Sequence, residues 1–447
     1  MMWKSFCLRA VLAISCGLVP VAGWSQQYTK SERELAESML RDADVDVQKH
    51  YYDSKFHGID WRARVQDARK NIEAAHSMED AISEIAALLD SLHDSHTALH
   101  IPPPTHIHDY GFQMEMIGDR CYVVRVRAGS DAEKKGLKPG DEIRAVNEYP
   151  ISHKNFRRLV YIVNVLRPQP ELRLTLADAA GGQRQLEVTT KFQLSTVNRY
   201  FLHQGINVLV RDADEESRIL PARYFEKGDE LLVVKIPEFA FSATEVDAMV
   251  AKMRAHRGVV LDLRGNPGGY VGTLDRLLGG LFQNDRKILD RVGRDVTKSV
   301  SVTGRHRDAF TGRFAVLIDS ESASASEVLA RVAQLERRGF IVGDRSSGSV
   351  MESRLYAHEI ALDSPVSYAI SVTDADLVMT DGKSLEHVGV EPDIVILPTS
   401  QDLANNRDPA LAKAAGLVGA KLSPEEAGTI LPYVESNQFQ TSLSLND

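Results

Sequence analysis

The sequence predicts an α/β protein of two or three domains, and three observations lead to this class. First, the 447-residue chain is 43% hydrophobic and 26% charged, an ordinary globular composition with enough length for more than one core. Second, from about residue 230 onward apolar strand patterns alternate with helical patterns, which is typical of a largely parallel sheet under helices. Third, a helical segment and then a segment of short alternating strands precede this region.

Residues 1–25 have the pattern of a secretory signal peptide. Lys4 and Arg9 give a positive start, the uncharged apolar run AVLAISCGLVPVAG follows, and small residues at its end offer a cleavage site. We therefore expect secretion across the inner membrane into the periplasm. The run is short for a membrane span. A retained anchor, or a lipoprotein cleaved at Cys16, are the alternatives.

Charge and cysteine content exclude some classes of partner and of scaffold. The formal net charge is −9 and the basic residues are scattered, which argues against nucleic acid as a partner. Of the three cysteines, only Cys121 lies outside the predicted signal peptide. No disulfide framework is expected, so stability must come from burial of an apolar core. Cys121 follows a strand pattern and is predicted as a core residue rather than a nucleophile.

Residues 26–105 are predicted to form an N-terminal helical domain. The apolar residues of SMEDAISEIAALLDSLHD recur at i, i+3, i+7 and i+10, and this spacing places four of them on one helical face: Ile82, Ile85, Leu89 and Leu92. Ser77 is suited to begin this helix. The run IPPP at 101–104 ends the domain as a stiff linker.

Residues 106–195 are predicted to form a small β-rich domain. The segment GLKPGDEIRAVN, residues 136–147, resembles the signature of a PDZ domain. The resemblance implies a groove between a strand and a helix, which takes an extended peptide by strand addition and holds its terminal carboxylate on backbone N–H groups. The carboxylate loop would lie at Tyr110, Gly111 and Phe112. A small β-barrel without a ligand is the alternative.

Residues 196–400 are predicted as the α/β domain, and residues 401–447 as a polar tail without an assigned role. Two strand ends of the domain carry unusual residues. LDLRGNPGG, residues 261–269, contains glycines that permit positive φ and close approach of the backbone to a ligand. SASASE, residues 322–327, presents three serines where helix N–H groups point outward, and such N–H groups stabilise an oxyanion. A helix cap is the simpler interpretation, because this run is also a capping box.

Taken together, the motifs resemble those of the S41 peptidases, a family of C-terminal-processing (tail-specific) proteases and tricorn core proteases. DLRGNPGG, SASASE and GVEPDI occur in the family order after an Asp-Ser-His-Thr motif and a PDZ domain, over residues 30–398. The resemblance implies a crotonase/ClpP-like α/β catalytic domain, with an N-terminal helical domain and a small β-rich PDZ domain. It places the nucleophile on Ser324. It also assigns the oxyanion hole to the N–H groups of Ala325 and of Gly268 or Gly269.

The resemblance implies a histidine rather than a lysine as the general base. C-terminal-processing members have a lysine 25 residues after the nucleophile, and this chain has Ser349 there. Tricorn-like members use a Ser-His pair and a glutamate, which match Ser95, His96 and Glu386. A neutral imidazole can accept the serine proton near pH 7, and a carboxylate can orient the ring, directly or through Ser95.

We therefore expect a secreted serine endopeptidase that cleaves extended peptides or protein C-terminal segments by acyl-enzyme chemistry. Its partners would be peptides or proteins with accessible C-termini, without a metal or an organic cofactor. The oligomeric state stays open, and a homo-oligomer is one alternative. A catalytically inactive S41-like binding protein is the main alternative function, because Ser349 replaces the family lysine. A metal-dependent hydrolase is a second alternative, because histidines cluster here: His93, His96, His100, His106 and His108.

Overall fold

A computed structural model describes residues 28–101, 106–166, 168–177, 182–194, 221–360 and 366–430. The predicted signal peptide lies outside the described residues. So do most of the IPPP linker, the predicted domain boundary at residue 195 and the end of the predicted tail. Within the described ranges, no helix has both the length and the apolar character needed to cross a bilayer.

Three helices form the N-terminal domain: α1 (Lys30–His50), α2 (Trp61–Ala74) and α3 (Met78–Asp90), with a 3-10 turn at Phe56–Gly58. Each α-helix begins at a side-chain cap, provided by Thr29, Asp60 and Ser77. The predicted apolar face of α3 points inward, with Ile85 and Leu89 fully buried and Ile82 half-buried. Their core also contains Tyr368 and Ile370 from a distant strand, so the helices pack directly onto the second half of the chain.

The described residues in the middle of the chain form nine strands: β1 (Ala98–His100), β2 (His106–Asp109), β3 (Phe112–Ile117), β4 (Arg120–Val126), β5 (Glu142–Val146), β6 (Tyr149–Pro150), β7 (Glu171–Ala177), β8 (Gln183–Thr189) and β9 (Lys191–Leu194). Helices α4 (Asp131–Lys134) and α5 (Phe156–Tyr161) interrupt them, and a π-helical turn continues α5 over Ile162–Leu166. The main sheet is antiparallel with the order β3-β4-β5-β7-β8, which leaves β3 at an edge. Cys121 is buried in this core, as its strand pattern predicts, and burial raises the pKa of its thiol.

A mostly parallel six-stranded sheet forms the centre of the α/β region. Its strands in spatial order are β10 (Arg223–Lys227), β11 (Leu231–Lys235), β12 (Gly258–Asp262), β15 (Arg313–Ile318), β16 (Phe340–Gly343) and β19 (Ile394–Val395). Only β10 runs antiparallel to its neighbour. Three helices alternate with the strands along the chain: α6 (Ala243–Arg254), α7 (Val271–Gly279) and α8 (Ala325–Leu335). This arrangement confirms the α/β class.

A second, antiparallel sheet joins the helical domain to the α/β region, and the strand patterns in the sequence did not predict it. It contains β1 together with β13 (Arg286–Gly293), β14 (Thr297–Val302), β17 (Met351–Ile360) and β18 (Val366–Met379), next to a 3-10 turn at His306–Asp308. The β1–β18 pairing aligns Leu99 with Ile370. Because β1 follows α3 after a short turn, this pairing fixes the turn that contains Ser95 and His96.

The prediction of a polar tail from residue 401 is wrong for the described part of that segment. Helices α9 (Ser400–Ala404), α10 (Pro409–Leu417) and α11 (Pro424–Ile430) follow the last strand. Alanines and leucines of α10 are buried in one core with Val233, Val260 and Leu317 of the parallel sheet. Small residues at helical spacing give only a weak apolar pattern in the sequence, so this helix was not predicted. They nevertheless allow a helix to lie close against a flat strand surface.

The two candidate motifs meet because their strands are neighbours. Strands β12 and β15 are parallel and in contact, with Asp262 aligned with Leu317. LDLRGNPGG leaves the carboxyl end of β12, and SASASE follows the carboxyl end of β15. In open α/β sheets this edge is where ligands bind.

Candidate active site

Ser324 lies at the turn between β15 and α8 and has a backbone φ of +53°. Non-glycine residues seldom adopt this conformation, and it persists where the surrounding contacts hold it. Here the Ser324 N–H lies 2.9 Å from the carbonyl of Ser349 and 3.1 Å from the carboxylate of Glu327. The Ser324 hydroxyl lies 3.4 Å from Nε2 of His96. The backbone turn therefore presents this one hydroxyl to an imidazole.

The other two serines of SASASE have structural contacts. Ser322 Oγ donates to the carbonyl of Leu263 at 2.9 Å, and Ser326 Oγ donates to the carbonyl of Asn266 at 3.1 Å. Both hydroxyls are completely buried. They join the nucleophile turn to the LDLRGNPGG loop, which explains why the turn contains three serines when a helix cap needs only one.

His96 lies in the turn between α3 and β1 and is 1% exposed. The Asp94 carboxylate accepts the His96 N–H at 2.9 Å, and the His96 carbonyl accepts the Ser371 hydroxyl at 2.6 Å. Both backbone groups of His96 are thus fixed. The ring reaches Ser324 with one nitrogen and Ser95 with the other.

Four side chains form a continuous hydrogen-bonded chain in the order Glu386, Ser95, His96 and Ser324. Glu386 accepts the Ser95 N–H at 2.7 Å, the Ser95 hydroxyl at 2.9 Å and the Val350 N–H at 2.8 Å. Ser95 Oγ lies 2.7 Å from Nδ1 of His96. All three donors suit an ionised carboxylate, which can only accept hydrogen bonds. The Ser95 hydroxyl therefore donates to Glu386 and accepts the Nδ1 proton, which leaves the lone pair of Nε2 facing Ser324.

Burial lowers the pKa of His96 to about 4, and the positive charge of Arg157 acts in the same direction against the opposing charge of Asp94. The ring is therefore neutral at pH 7 and can accept a proton. Burial raises the pKa of Glu386, while its three hydrogen-bond donors oppose that shift. The carboxylate orients the ring through Ser95 rather than by direct contact.

Two backbone N–H groups have no hydrogen-bond acceptor among the described residues: that of Ala325, which follows Ser324 in the chain, and that of Gly269, which follows the Gly268 that packs against Ser324. Ala325 is the first residue of α8, where helical N–H groups lack an internal partner. Gly269 follows β12 with φ +132°. The pair suits an oxyanion hole of two N–H donors.

Gly268 has a different role from the one predicted. Its N–H donates to Oδ1 of Asn266 at 2.8 Å, so this donor is already satisfied. A Cβ atom at Gly268 would lie 2.6 Å from the Cβ of Ser324, which is too close for any side chain. Gly268 therefore contributes close packing against the nucleophile, while Gly269 is the better oxyanion candidate.

Asn266 and Glu327 were not identified from the sequence as site residues. Asn266 is fully buried. Its side-chain amide donates to the Ile236 carbonyl at 2.9 Å, and its backbone carbonyl accepts the Ala323 N–H. The Glu327 carboxylate accepts three further donors: the Ser346 hydroxyl and the N–H groups of Gly348 and Ser349, at 2.6 to 2.9 Å. These two side chains hold the three loops of the site in register. The capping-box pattern was the one sequence signal for Glu327.

Ser349, at the position of the family lysine, lies beside the nucleophile and is 5% exposed. Its carbonyl accepts the Ser324 N–H, and its hydroxyl accepts Nη1 of Arg157 at 2.6 Å. Arg157 comes from α5 of the β-rich domain. A guanidinium is always protonated at accessible pH, so it cannot replace the lysine as a base.

The predicted carboxylate loop of the β-rich domain has its own carboxylate. Gly111 N–H donates to Oδ1 of Asp109 at 2.9 Å, and Arg127 pairs with the same oxygen. Tyr110 and Phe112 are buried, and the Tyr110 hydroxyl donates to the Gln169 carbonyl at 2.7 Å. The Gly111 N–H is therefore not available to a peptide terminus in this structure, contrary to the expectation from the motif.

The histidine-rich segment does not assemble a metal site in the described part of the chain. No group of three or more histidine, cysteine, aspartate or glutamate side chains there could hold a metal ion. His100 instead contacts the Ser371 hydroxyl at 3.0 Å, and His93 accepts Nε2 of His387 on its carbonyl at 2.7 Å. His106 lies among residues whose side chains are not described.

Comparison with known proteins identifies two domains. Residues 230–396 match the model of peptidase family S41, and residues 99–177 match that of the PDZ domain. The chain is 28% identical over 301 residues to the tail-specific protease of Haemophilus influenzae, a match that covers 64% of this chain and 40% of that protein. It is 24% identical over 291 residues to the carboxy-terminal processing protease CtpB of Bacillus subtilis, covering 64% and 54%.

A tricorn protease homolog of Streptomyces coelicolor matches a longer stretch, with 24% identity over 417 residues, 89% of this chain and 32% of that protein. The chain thus spans roughly a third to a half of the length of these relatives. Among solved structures, mature CPAF in complex with lactacystin has a TM-score of 0.61 at 14% identity, covering 84% of this chain and 96% of that one. The photosystem II D1 C-terminal processing protease has a TM-score of 0.51 at 19% identity, covering 89% and 100%. These two structures share the fold.

Proposed function

We propose that this chain, which carries a peptidase family S41 domain at residues 230–396 and a PDZ domain at residues 99–177, is a serine endopeptidase that cleaves extended peptide or protein C-terminal segments. The observation that carries the proposal is the hydrogen-bonded chain from Glu386 through Ser95 and His96 to Ser324. The relatives named as tail-specific and carboxy-terminal processing proteases support the same reaction. Secretion into the periplasm, predicted from residues 1–25, belongs to the same proposal.

Acylation begins when Ser324 Oγ attacks the carbonyl carbon of the scissile peptide bond. Nε2 of neutral His96 takes the hydroxyl proton as the new C–O bond forms. The carbonyl oxygen becomes an oxyanion, which the N–H groups of Ala325 and Gly269 can bind. The charge on the imidazolium is stabilised through Ser95 by the Glu386 carboxylate.

The tetrahedral intermediate then collapses. His96 returns its proton from Nε2 to the nitrogen of the leaving amine, the C–N bond breaks, and an acyl ester remains on Ser324. A water molecule attacks this ester with His96 again as base. The acid product leaves and the Ser324 hydroxyl is restored. The 3.4 Å separation of Nε2 and Oγ is long for a hydrogen bond, and such contacts tighten when substrate binds.

Cleavage of an unfolded protein tests the proposal. Purified chain is incubated with denatured casein, and fragments are measured by mass spectrometry beside two variants, Ser324→Ala and Ser301→Ala. Ser301 is exposed on β14 and serves as the matched control. We expect cleavage by the wild type and Ser301→Ala, and none by Ser324→Ala with an unchanged circular dichroism spectrum. Cleavage that survives in Ser324→Ala would reject the proposed nucleophile. Absence of cleavage by the wild type would favour the inactive binding protein.

A further inference from the structure

Arg157 is a cationic residue of the active site that no sequence motif identified. It lies on α5 of the PDZ domain, yet its guanidinium reaches across to Ser349, whose carbonyl binds the nucleophile backbone. Its positive charge also influences the pKa values of His96, Glu321 and Glu327, although burial is the larger cause for all three. Two domains therefore contribute side chains to one catalytic centre.

The guanidinium of Arg157 retains most of its hydrogen-bonding capacity. A guanidinium has five N–H donors, and the described contact of Arg157 uses one of them on a neutral hydroxyl. Among the residues that the structure describes, no carboxylate lies within ion-pair distance of it. Its neighbour Arg158 differs, because it pairs with Asp90 at 3.2 Å. Arg157 is half-buried rather than enclosed, so a ligand can approach its remaining donors.

The usual position for a peptide terminus on a PDZ domain is occupied here. The carboxylate of Asp109 already accepts the Gly111 N–H and pairs with Arg127, and Asp109 is 7% exposed. A peptide carboxylate at this loop would meet a second negative charge in a buried setting, which is unfavourable. A substrate terminus therefore needs a different cation.

The distance from Arg157 to the nucleophile limits the length of the segment between them. Two contacts of 2.6 Å and 2.9 Å connect Nη1 of Arg157 to the Ser324 N–H through Ser349. With ordinary bond lengths inside each residue, the gap to Ser324 Oγ is at most roughly 14 Å, which about four extended residues span.

We propose that Arg157 binds the free α-carboxylate of the substrate, so that the enzyme removes a C-terminal segment of about four residues or fewer. This inference rests on the proposed peptidase function and specifies its substrate. A planar guanidinium binds a carboxylate through two parallel hydrogen bonds, which gives both affinity and orientation. The contact to Ser349 holds the Arg157 side chain beside the scissile bond.

The test compares peptides that differ only at the terminus. Two internally quenched libraries of random decapeptides are used, one ending in a carboxylate and one in a carboxamide. Values of kcat/KM are measured for the wild type, Arg157→Gln and the control Arg158→Gln. We expect the wild type and Arg158→Gln to favour the carboxylate library at least tenfold, mainly through KM, and to cut within about four residues of the end. Arg157→Gln should lose this preference, so that its kcat/KM falls at least tenfold more on the carboxylate library than on the carboxamide library.

Other results would contradict the inference. An equal loss of kcat/KM by Arg157→Gln on both libraries would show that Arg157 serves only as a contact between the domains. Loss of the carboxylate preference in Asp109→Asn, with Arg157→Gln unaffected, would show that the PDZ loop, and not Arg157, binds the α-carboxylate of the substrate. Labelling of Ser324 with a fluorophosphonate reports separately whether each variant keeps an active nucleophile. A wild type that labels but shows no terminal preference overturns this inference alone, whereas one that neither labels nor cleaves overturns the proposed function as well.

Discussion

At the scale of single residues, position rather than residue type distinguishes the proposed nucleophile. Ser322, Ser324 and Ser326 are equally small and equally hydroxylic, but only Ser324 has a positive φ and faces an imidazole. The sequence supplied the candidates His96, Ser95 and Glu386 through family motifs, and the structure brings their side chains together. The sequence did not show whether Glu386 contacts the His96 ring directly or through Ser95, because the same sequence is compatible with both arrangements.

The buried state of His96 predicts the acid limb of the pH profile. Burial lowers its pKa to about 4, so the neutral base persists well below the usual value of 6.5. We expect kcat/KM to fall only as pH drops through about 4 to 5. The protonated ring is disfavoured in the folded state, so stability also falls between pH 6.5 and 4. Circular dichroism at each pH separates the two effects. A limb centred at 6.5 or above would contradict a buried base.

Ser95 is predicted to act through its hydroxyl. Ser95→Ala removes the bridge between Glu386 and Nδ1 of His96, and we expect kcat to fall by about 10²-fold, within the usual range for general acid–base contributions. Ser95→Thr keeps the hydroxyl and should recover most of the rate. Ser91→Ala, four residues upstream, removes only a bond to the Leu88 carbonyl and is the control. Equal activity of Ser95→Ala and the wild type would show that Glu386 does not act through Ser95.

At the scale of elements, the site consists of loops at the ends of parallel strands. β12 and β15 are adjacent, and two hydrogen bonds join the loops that follow them. The Ser322 hydroxyl donates to the Leu263 carbonyl, and the Ser326 hydroxyl donates to the Asn266 carbonyl. Alternating strand and helix patterns were sufficient to predict this part. The antiparallel sheet of β13, β14, β17 and β18 was missed. β13 pairs with β14, and β17 with β18, across short connections, but the β1–β18 and β13–β18 pairings that assemble the sheet join distant segments and leave no local signal.

The glycine loop provides a test at this scale. Gly268→Ala would place a Cβ 2.6 Å from the Cβ of Ser324, at a φ of +113° that alanine disfavours. We expect at least a 10²-fold loss of kcat, because a displaced nucleophile also loses its oxyanion donors. Gly272→Ala, four residues on, meets no atom within 4 Å and should retain full activity. The measurement is the rate of peptide hydrolysis by both variants. An active Gly268→Ala would contradict the close packing of Gly268 against Ser324.

At the scale of the whole molecule, three separate segments contribute to the one proposed catalytic centre. The turn between α3 and β1 supplies the proposed base, the PDZ domain supplies Arg157, and the α/β region supplies the proposed nucleophile. Sequence motifs predicted the first and third. Arg157 was not predicted, because nothing local distinguishes it from Arg158 beside it. The occupation of the PDZ loop by Asp109 was missed for the same reason, since it depends on a contact with Arg127.

The C-terminal helices are predicted to stabilise the parallel sheet. Leu411 on α10 is 2% exposed and belongs to one core with β11, β12 and β15. Leu411→Ala should lower the free energy of unfolding by about 2–5 kcal/mol, as for other buried leucines. Lys413→Ala, on the exposed side of α10, should change it by less than about 0.5 kcal/mol. Urea denaturation of both variants measures this, and equal stabilities would mean that α10 does not support the sheet.

The central claim is that His96 activates Ser324, and covalent labelling tests it most directly. The wild type, Ser324→Ala and His96→Ala are treated with a fluorophosphonate probe, and the modified peptide is mapped by mass spectrometry. We predict that the probe modifies Ser324 in the wild type and that both variants lose the label while they stay folded. An unlabelled wild type, beside a control protease that labels, would contradict the claim. So would full labelling of Ser324 in His96→Ala.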